Sequence, residues 1–388
     1  MLRGKIEIHN RISLDSSYQG KNDTLNLIYT PGVASVAKEI SQDKKMVYDY
    51  TSKWNNVAIV CDGTRVLGLG NIGPEGALPV MEGKSVLFKA LGDINAIPLC
   101  INTQDKEEII RFVKIIQPNF GAINIEDIES PKVLEIVERL SKEVSIPIFH
   151  DDQHGTAIIT LAALINALEL VKKQIQTVRV VISGSGSAGY GIFKILQAAG
   201  CKDIIVVDTR GAIYEGRADI DNQNPYKKEI AVNSNIAKSK GGLQDVIIKS
   251  DIFIGVSGKM DILNKQMIES MNQDPIIFAL SNPDPEILPK SAFEYGARIV
   301  ATGRSDFPNQ INNAVVFPSI LRALLDLRAN NLSENMLVSV AYAIAAIVEE
   351  VHLKDDYIIP KVDDTRILPI VTKTIKQVLG KHIKNKNG

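Results

Sequence analysis

Two pairs of acids, Glu126-Asp127 and Asp151-Asp152, each stand at the end of a short apolar run, Ala122–Ile125 and Ile146–Phe149. In open α/β sheets ligands bind outside the carboxyl ends of the strands. If these two strands are neighbours, up to four carboxylates converge, and so much negative charge is costly without a cation. All-oxygen donors suit Mg2+ or Mn2+, which also keep open positions for substrate oxygens. The competing reading is that acids at strand ends cap the helices that follow. His150 and His154 flank the second pair. A carboxylate-rich site does not need them, and a lone histidine more often packs or hydrogen-bonds.

A second constellation follows the apolar stretch Val178–Ser183: Gly184-Ser185-Gly186-Ser187-Ala188-Gly189, a G-x-G-x-x-G loop leading into a helix. The first glycine permits the tight turn, the second lets the backbone approach a pyrophosphate, and the third allows close helix–strand packing. The helix N-terminus supplies free N–H groups for phosphates. Glycine clusters also make plain turns, but here the next strand, Ile204–Val207, ends in Asp208, at the spacing expected for a carboxylate that receives the adenosine ribose hydroxyls. The loop is therefore read as a dinucleotide site. Asp208 would repel a 2′-phosphate and favours NAD, whereas Arg210, two residues on, would offset that repulsion and leaves NADP open.

The elements that must position these groups alternate strand and helix, the pattern of an α/β protein with parallel sheet. Strands are predicted at Val57–Cys61, Ala122–Ile125, Ile146–Phe149, Val178–Ser183, Ile204–Val207, Ile252–Val256, Ile276–Leu280 and Ile299–Ala301. Helices are predicted at Lys106–Ile116, from Pro131 to about Val144 with Ser130 as N-cap, and at Thr156–Val171 and Ala188–Ala199. Ala314–Ala329, Glu334–Glu350 and a closing Arg366–Leu379 follow, with a frayed Lys/Asn-rich tail after Gly380. The expected architecture is an N-terminal α/β catalytic domain, 1–155, which carries substrate and metal. A Rossmann-type doubly wound NAD-binding domain with closing C-terminal helices, 156–388, completes it. No Pro/Gly/Ser-rich linker marks the junction.

Bulk properties agree. The 388 residues suit two domains, and 45 % hydrophobic with 23 % charged residues is ordinary for a globular enzyme. A formal net charge of −1 gives no basic field for nucleic acid or an acidic membrane. The three cysteines, Cys61, Cys100 and Cys201, are odd in number and widely spaced; they suggest neither a zinc site nor a redox pair, and disulfides are not expected. Residues 1–14 lack an uninterrupted apolar region, and no apolar run approaches the ~18–20 residues of a membrane span. Met336–Val348 is short and reads as a buried core helix. A cytoplasmic location is the expectation.

The remaining motifs carry a resemblance. Tyr29-Thr30-Pro31-Gly32-Val33-Ala34, Asp62-Gly63-Thr64-Arg65-Val66-Leu67-Gly68-Leu69-Gly70-Asn71 and Leu78-Pro79-Val80-Met81-Glu82-Gly83-Lys84 come first along the chain. Glu126-Asp127, His150-Asp151-Asp152-Gln153-His154-Gly155-Thr156-Ala157, Leu280-Ser281-Asn282-Pro283 and Gln310-Ile311-Asn312-Asn313 follow in order. Together they resemble malic enzymes of the compact prokaryotic form, without a fused acyltransferase-like domain.

The resemblance implies oxidative decarboxylation of (S)-malate to pyruvate and CO2, with reduction of NAD(P). It implies Lys84 as general base, with Asp151 orienting it, and Tyr29 as the acid that protonates the enolate carbon. A cation nearby and partial burial would be needed to lower the ordinary lysine pKa of ~10.4, while a phenol near ~10 arrives protonated. It further implies Glu126, Asp127 and Asp152 as ligands of Mg2+ or Mn2+, and Arg65 as a salt bridge to a malate carboxylate. Asn282 and Asn313 would donate to the substrate and the nicotinamide ribose, with Asn312 not separable from Asn313. A homodimer is implied in the same way. Two alternatives stand: malolactic chemistry, which would release lactate, and a non-catalytic dinucleotide-binding regulator, against which the proton-transfer and metal set argues.

Overall fold

The computed structural model describes residues 29–220 and 224–386; the expectations for the segment before Tyr29 and for residues 387–388 lie outside them. Helices of nine residues or more are numbered in chain order. The first sheet contains β1 (Asn56–Cys61), β2 (Asn95–Cys100), β3 (Ala122–Glu126) and β4 (Ile148–His150), arranged β2-β1-β3-β4 and wholly parallel. The second holds β5 (Arg179–Ser183), β6 (Asp203–Asp208), β7 (Gly211–Ala212), β8 (Ile252–Gly255), β9 (Ile276–Ala279) and β10 (Ile299–Thr302), in the order β10-β9-β8-β5-β6-β7. It is parallel except for β7, which pairs antiparallel to β6. The chain is an α/β protein with a Rossmann-type second sheet. Strands β1, β3, β8 and β9 are nearly continuous apolar runs because helices cover both faces.

Each sheet reverses its strand order once, between β1 and β3 and between β5 and β8, since the chain leaves the first strand in one direction and returns on its other side. Crevices at the carboxyl ends open at such reversals. The two reversals face one another, which sets where the site forms.

Helices α1 (Gly32–Gln42), α2 (Gly73–Gly92), α3 (Lys106–Ile116), α4 (Lys132–Glu143) and α5 (Thr156–Leu170) belong to the N-terminal half. Helix α2 was not legible in sequence: Gly73, Pro74, Gly76, Pro79 and Gly83 all argue against a helix. It forms because Ala77, Met81, Lys84, Ser85 and Phe88 recur at helical spacing and bury one stripe. Lys84 is the charged member of that stripe. Strand β2 was missed too, its signal interrupted by Pro98.

Other boundaries moved for identifiable reasons. Strand β4 begins at Ile148 because Pro147 has no N–H for the ladder, although its carbonyl accepts from Ile123 N at 3.0 Å. Helix α4 is capped by Pro131, not Ser130, and no side chain caps it. Between β4 and α5 the chain makes a π-helical turn, Asp151–Gly155. Such single turns are frequent at functional sites.

The C-terminal half adds α6 (Ser187–Ala198), α7 (Pro225–Asn233), α8 (Phe317–Asp326), α9 (Glu334–Ala345) and α10 (Ile367–Lys386). The last of these continues through the segment expected to fray. Helix α8 is shorter than expected, preceded by a 3-10 turn at Asn313–Val315, with Pro318 in its first turn. It returns to the first half: the rings of Phe317 and Phe88 are 4.7 Å apart. Asn166 of α5 donates to the carbonyls of Ala345 (3.0 Å) and Ile358 (2.9 Å), fastening α5 to the closing segment. Cys61, Cys100 and Cys201 are free thiols. Cys61 and Cys100 are register partners on adjacent strands. Among the described residues no helix is long and apolar enough to cross a membrane.

Candidate active site

The two strand reversals enclose a cavity of about 560 Å³. Its wall includes Arg65, Lys84, Glu126, Asp127, Asp151 and Asp152 from the first half, and Gly186, Ser187, Ala188, Asn282, Asn312 and Asn313 from the second. Of the residues selected in sequence, Tyr29, Gly184, Ser185, Gly189 and Asp208 do not line it.

Lys84 lies at its centre. Its Nζ donates to Glu126 Oε1 and to Asp151 Oδ2, both at 2.5 Å, and lies 4.5 Å from the Phe317 ring centroid. The register that pairs Ile125 of β3 with His150 of β4 puts Glu126 and Asp151 next to one another at the strand ends. Asn124 Nδ2 donates to the other Glu126 oxygen at 2.9 Å. Burial alone would lower the Lys84 pKa, but the charges of Asp151 and Glu126 outweigh it and raise it above the ordinary lysine value. The near neighbours of the ammonium are these two anions.

The acids are raised as well, which for a carboxyl favours the neutral form. Burial raises Glu126, Asp151 and Asp152, and burial with the charges of Glu126 and Asp152 pushes Asp127 up to about 8. Three buried carboxylates, Glu126, Asp127 and Asp151, and the half-buried Asp152 face one lysine, a deficit of positive charge met only by protonation or by a cation. Among the described residues no group of three or more His, Cys, Asp or Glu side chains is closed up as a metal shell. Lys84 draws Glu126 and Asp151 to itself, and like charges spread the rest. The donor set itself, all hard oxygen at the mouth of a crevice, fits Mg2+ or Mn2+.

His150 and His154 do not line the cavity. Burial lowers them to about 4 and about 3, so both are neutral. His150 N donates to His154 Nδ1 at 3.2 Å, which ties β4 to the π-helical turn. Gly155 is required in that turn: a Cβ there would stand 2.2 Å from Asp151 Oδ1.

Arg65 sits in a folded loop after β1. Asp62 Oδ1 accepts from Thr64 N (3.0 Å) and Thr64 Oγ1 (2.6 Å), while Asp62 Oδ2 pairs with Lys132 at 2.7 Å. The Gly63 carbonyl accepts from Ile72 N and Gly73 N, closing the loop, and Arg65 N donates to Asp127 O at 3.1 Å. Asp127 itself has φ +48°, a left-handed conformation that turns its carboxylate from the strand into the crevice. The Arg65 guanidinium reaches the second half, where a Cβ on Gly258 would meet its Nη2 at 3.5 Å.

The glycine loop is crowded at two of its glycines and open at the third. Gly184 has φ +120°, and a Cβ there would lie 2.8 Å from Val256 O. Gly186 has nothing within 4 Å on its Cβ side, leaving backbone open to the cavity. At Gly189 a Cβ would come 1.9 Å from Gly184 O. Helix α6 starts at Ser187, one residue earlier than expected.

Asp208 is arranged differently from the expectation. Its carboxylate accepts from Arg217 Nη1 (3.0 Å) and Nη2 (2.6 Å), Lys227 Nζ (2.8 Å) and Arg210 N (2.8 Å). A carboxylate has about four lone-pair sites, so none is left over for a ribose hydroxyl. Burial alone would raise Asp208, but the hydrogen bonds from Arg217 and Lys227 outweigh it and hold it at about 2. The offsetting cations are thus Arg217 and Lys227; the Arg210 side chain turns to Asp219 at 3.3 Å.

The structure also separates the two asparagines. Asn312 Oδ1 caps the following turn by accepting from Ala314 N at 2.8 Å, while Asn313 Oδ1 accepts from Thr156 Oγ1 at 3.2 Å, beside the carboxylate turn. Asn282 packs under Gly303, where a Cβ would meet its Nδ2 at 2.5 Å. Tyr29 is 67 % exposed and stands away from the others, and α1, just after it, buries none of its residues.

Comparison with known proteins agrees with this geometry. The family described as "Malic enzyme, N-terminal domain" matches residues 8–111, and "Malic enzyme, NAD binding domain" matches residues 153–378. The bifunctional malic/malolactic enzyme of Bacillus subtilis is 49 % identical over 96 % of this chain and 89 % of that protein. The NAD-dependent malic enzyme of Geobacillus stearothermophilus is 48 % identical over 96 % of this chain and 76 % of that protein. The crystal structure of the NAD-dependent malic enzyme of Thermotoga maritima superposes with a TM-score of 0.90 at 46 % identity, covering 95 % of this chain and 96 % of that one.

Proposed function

The chain belongs to the malic enzyme family, and from that premise we propose that it converts (S)-malate to pyruvate and CO2 while reducing NAD or NADP, with a divalent cation at Glu126, Asp127 and Asp152. The observation that carries the reading is Lys84, buried between Asp151 and Glu126 in a cavity that also holds Arg65 and the open face of the glycine loop.

The nicotinamide and the cation, when bound, supply hydride acceptance and polarisation of the malate C1 and C2 oxygens. The chain's own groups do the rest. Arg65 holds a malate carboxylate with its planar fork. Lys84 Nζ takes the C2 hydroxyl proton and Asp151 keeps it aimed. With Glu126 given to a cation, Lys84 would keep Asp151 as its one near anion, and its proton would be held less firmly. Asn282 and Asn313 hold the substrate and the nicotinamide ribose by their amides. After CO2 leaves, Tyr29 protonates C3 of the enolate, and Lys84 recharges the phenol.

Tyr29 acts only if it is brought to the cavity, from a second copy in a homodimer or by rearrangement of the segment before α1. The unburied α1 supports the first route. We assign residues 1–155 to substrate and metal and 156–388 to the dinucleotide. Because Asp208 is offset by Arg217 and Lys227, a 2′-phosphate is not repelled, and both NAD and NADP serve.

The test is malate-dependent formation of NADH and NADPH with Mg2+ and with Mn2+, with pyruvate assayed as product. Metal-independent turnover would remove the carboxylate site from the reading. A second reading, malolactic conversion, is favoured by the name of the Bacillus subtilis relative. Lactate appearing without net NADH would select it.

A further inference from the structure

Cys61 ends β1 and Cys100 ends β2, and the parallel register pairs them directly. Neighbouring strands lie ~4.8 Å apart, within the ~4.4–6.8 Å between Cα atoms that a disulfide bridges. Register partners in a parallel pair project to the same face, so the two thiols face one another, and both are free. Cys61 is buried, whereas Cys100 is part-exposed on the edge strand of its sheet. One thiol is therefore open to reagent and the other is placed behind it to resolve. A hydrogen bond from Cys61 lowers the Cys100 pKa below the ordinary thiol value, which favours the open sulfur as nucleophile.

What Cys61 touches gives the pair its consequence. Cys61 Sγ accepts the N–H of Gly63 at 3.3 Å. Gly63 is the closing point of the Arg65 loop, its carbonyl accepting from Ile72 N and Gly73 N. Arg65, two residues on, is tied by its own N–H to Asp127 O. A bond drawing Cys61 Sγ toward Cys100 pulls on Gly63 and re-aims Arg65.

We propose that Cys61 and Cys100 form a reversible disulfide, a modification site at the carboxyl edge of the first sheet, and that closing it weakens malate binding through the Asp62–Arg65 turn. The second half rests on the assignment of Arg65 to malate. The oxidant is a low-molecular-weight disulfide. The Cys100 thiolate attacks one of its sulfurs and releases one thiol, leaving a mixed disulfide. The Cys61 sulfur then attacks the Cys100 sulfur, its proton passing to the departing thiolate, and releases the second thiol. Two protein thiols are oxidised, one reagent disulfide is reduced to two thiols, and the two protons of Cys61 and Cys100 leave on them.

The experiment treats the full-length enzyme, loaded with Mn2+ and NAD, with oxidised glutathione. The expected result is loss of two of the three titratable thiols and a mass lower by about 2 Da. A linked peptide pair should contain Cys61 and Cys100, while Cys201, buried and without a paired thiol, stays reduced. Malate KM should rise about tenfold, the scale of a misplaced binding group, with NAD KM unchanged and full reversal by dithiothreitol. Cys100→Ser should be insensitive. A mixed disulfide that persists on Cys100, or no modification at all, overturns the site. A cross-link that leaves malate KM unchanged overturns the coupling. The Arg65 assignment is read separately in the reduced enzyme: if Arg65→Ala leaves malate KM unchanged, that assignment fails, while the cross-link seen by mass stands.

Discussion

Lys84 Nζ lies 2.5 Å from Asp151 Oδ2, a contact between residues 67 positions apart in sequence. The contact unites the buried stripe of a glycine- and proline-rich helix with the first residue of a π-helical turn. It makes the lysine the counter-ion of the acid cluster, beside the role of base proposed for it.

Two roles for one residue predict two separable losses. Lys84→Met should lower kcat roughly 10²–10⁴-fold, the range for a positioned acid–base group. It also strips Glu126 and Asp151 of their buried partner, worth about 3 kcal/mol, so the metal-free variant should melt well below the parent. Saturating Mn2+ should recover much of that Tm difference but not the kcat. Equal recovery of both would mean Lys84 is only a counter-ion.

Tyr29→Phe should abolish protonation at C3 while sparing hydride transfer. Exchange of the pyruvate methyl protons with solvent is the direct measurement, and exchange at the parent rate would end the role given to Tyr29. Mixing Tyr29→Phe with Lys84→Met subunits tests the route of delivery. Activity regained on mixing means that one copy lends its tyrosine to the other; none regained means that each chain folds its own into place.

Cofactor choice should respond to Lys227. Its Nζ has three N–H groups, and Asp208 takes one at 2.8 Å. Arg217 is already spent on Asp208, Asp219 and the carbonyls of Gly211 and Ala212. Lys227→Ala should lower kcat/KM for NADP about tenfold relative to NAD, or about 1.4 kcal/mol. An unchanged ratio would show that the 2′-position is read elsewhere.

The same cluster has a pH signature. Asp208 titrates at about 2 in the folded chain, below an ordinary aspartate at 3.8. A depressed carboxylate stabilises the fold above its unfolded pKa, and that contribution is lost as pH falls through the folded one. Asp208→Asn should therefore cost about 2 kcal/mol at pH 7. The gap in Tm between parent and variant should narrow between pH 4 and pH 2, a constant gap being the contrary result.

Two glycines of one loop should separate folding from binding. Gly189→Ala puts a Cβ 1.9 Å from Gly184 O and should destabilise by about 1–3 kcal/mol. Gly186→Ala meets nothing within 4 Å, so Tm should hold while the KM for NAD rises. A fall in Tm at Gly186 would show that the open side is not reserved for the cofactor.

Read alone, the sequence determined whatever depends on local period and fixed spacing. Apolar runs ending in acids gave the strands that hold Glu126 and Asp151, and the glycine spacing gave a phosphate loop whose crowded and open positions the fold reproduces. Helix α2 stayed hidden because its stability comes from burial of Ala77, Met81 and Phe88 against the rest of the molecule, which overrides five unfavourable residues. The helical spacing of Ala77, Met81, Lys84 and Phe88 was the signal available. Only tertiary structure decided which charges meet: that Arg217 and Lys227, not Arg210, offset Asp208; that Lys84 lies between two carboxylates; that Tyr29 stands apart; and that Cys61 and Cys100 share a register. Electrostatic and thiol chemistry act over a few ångströms of space, and separation along the chain carries no information about that distance until the strands are ordered.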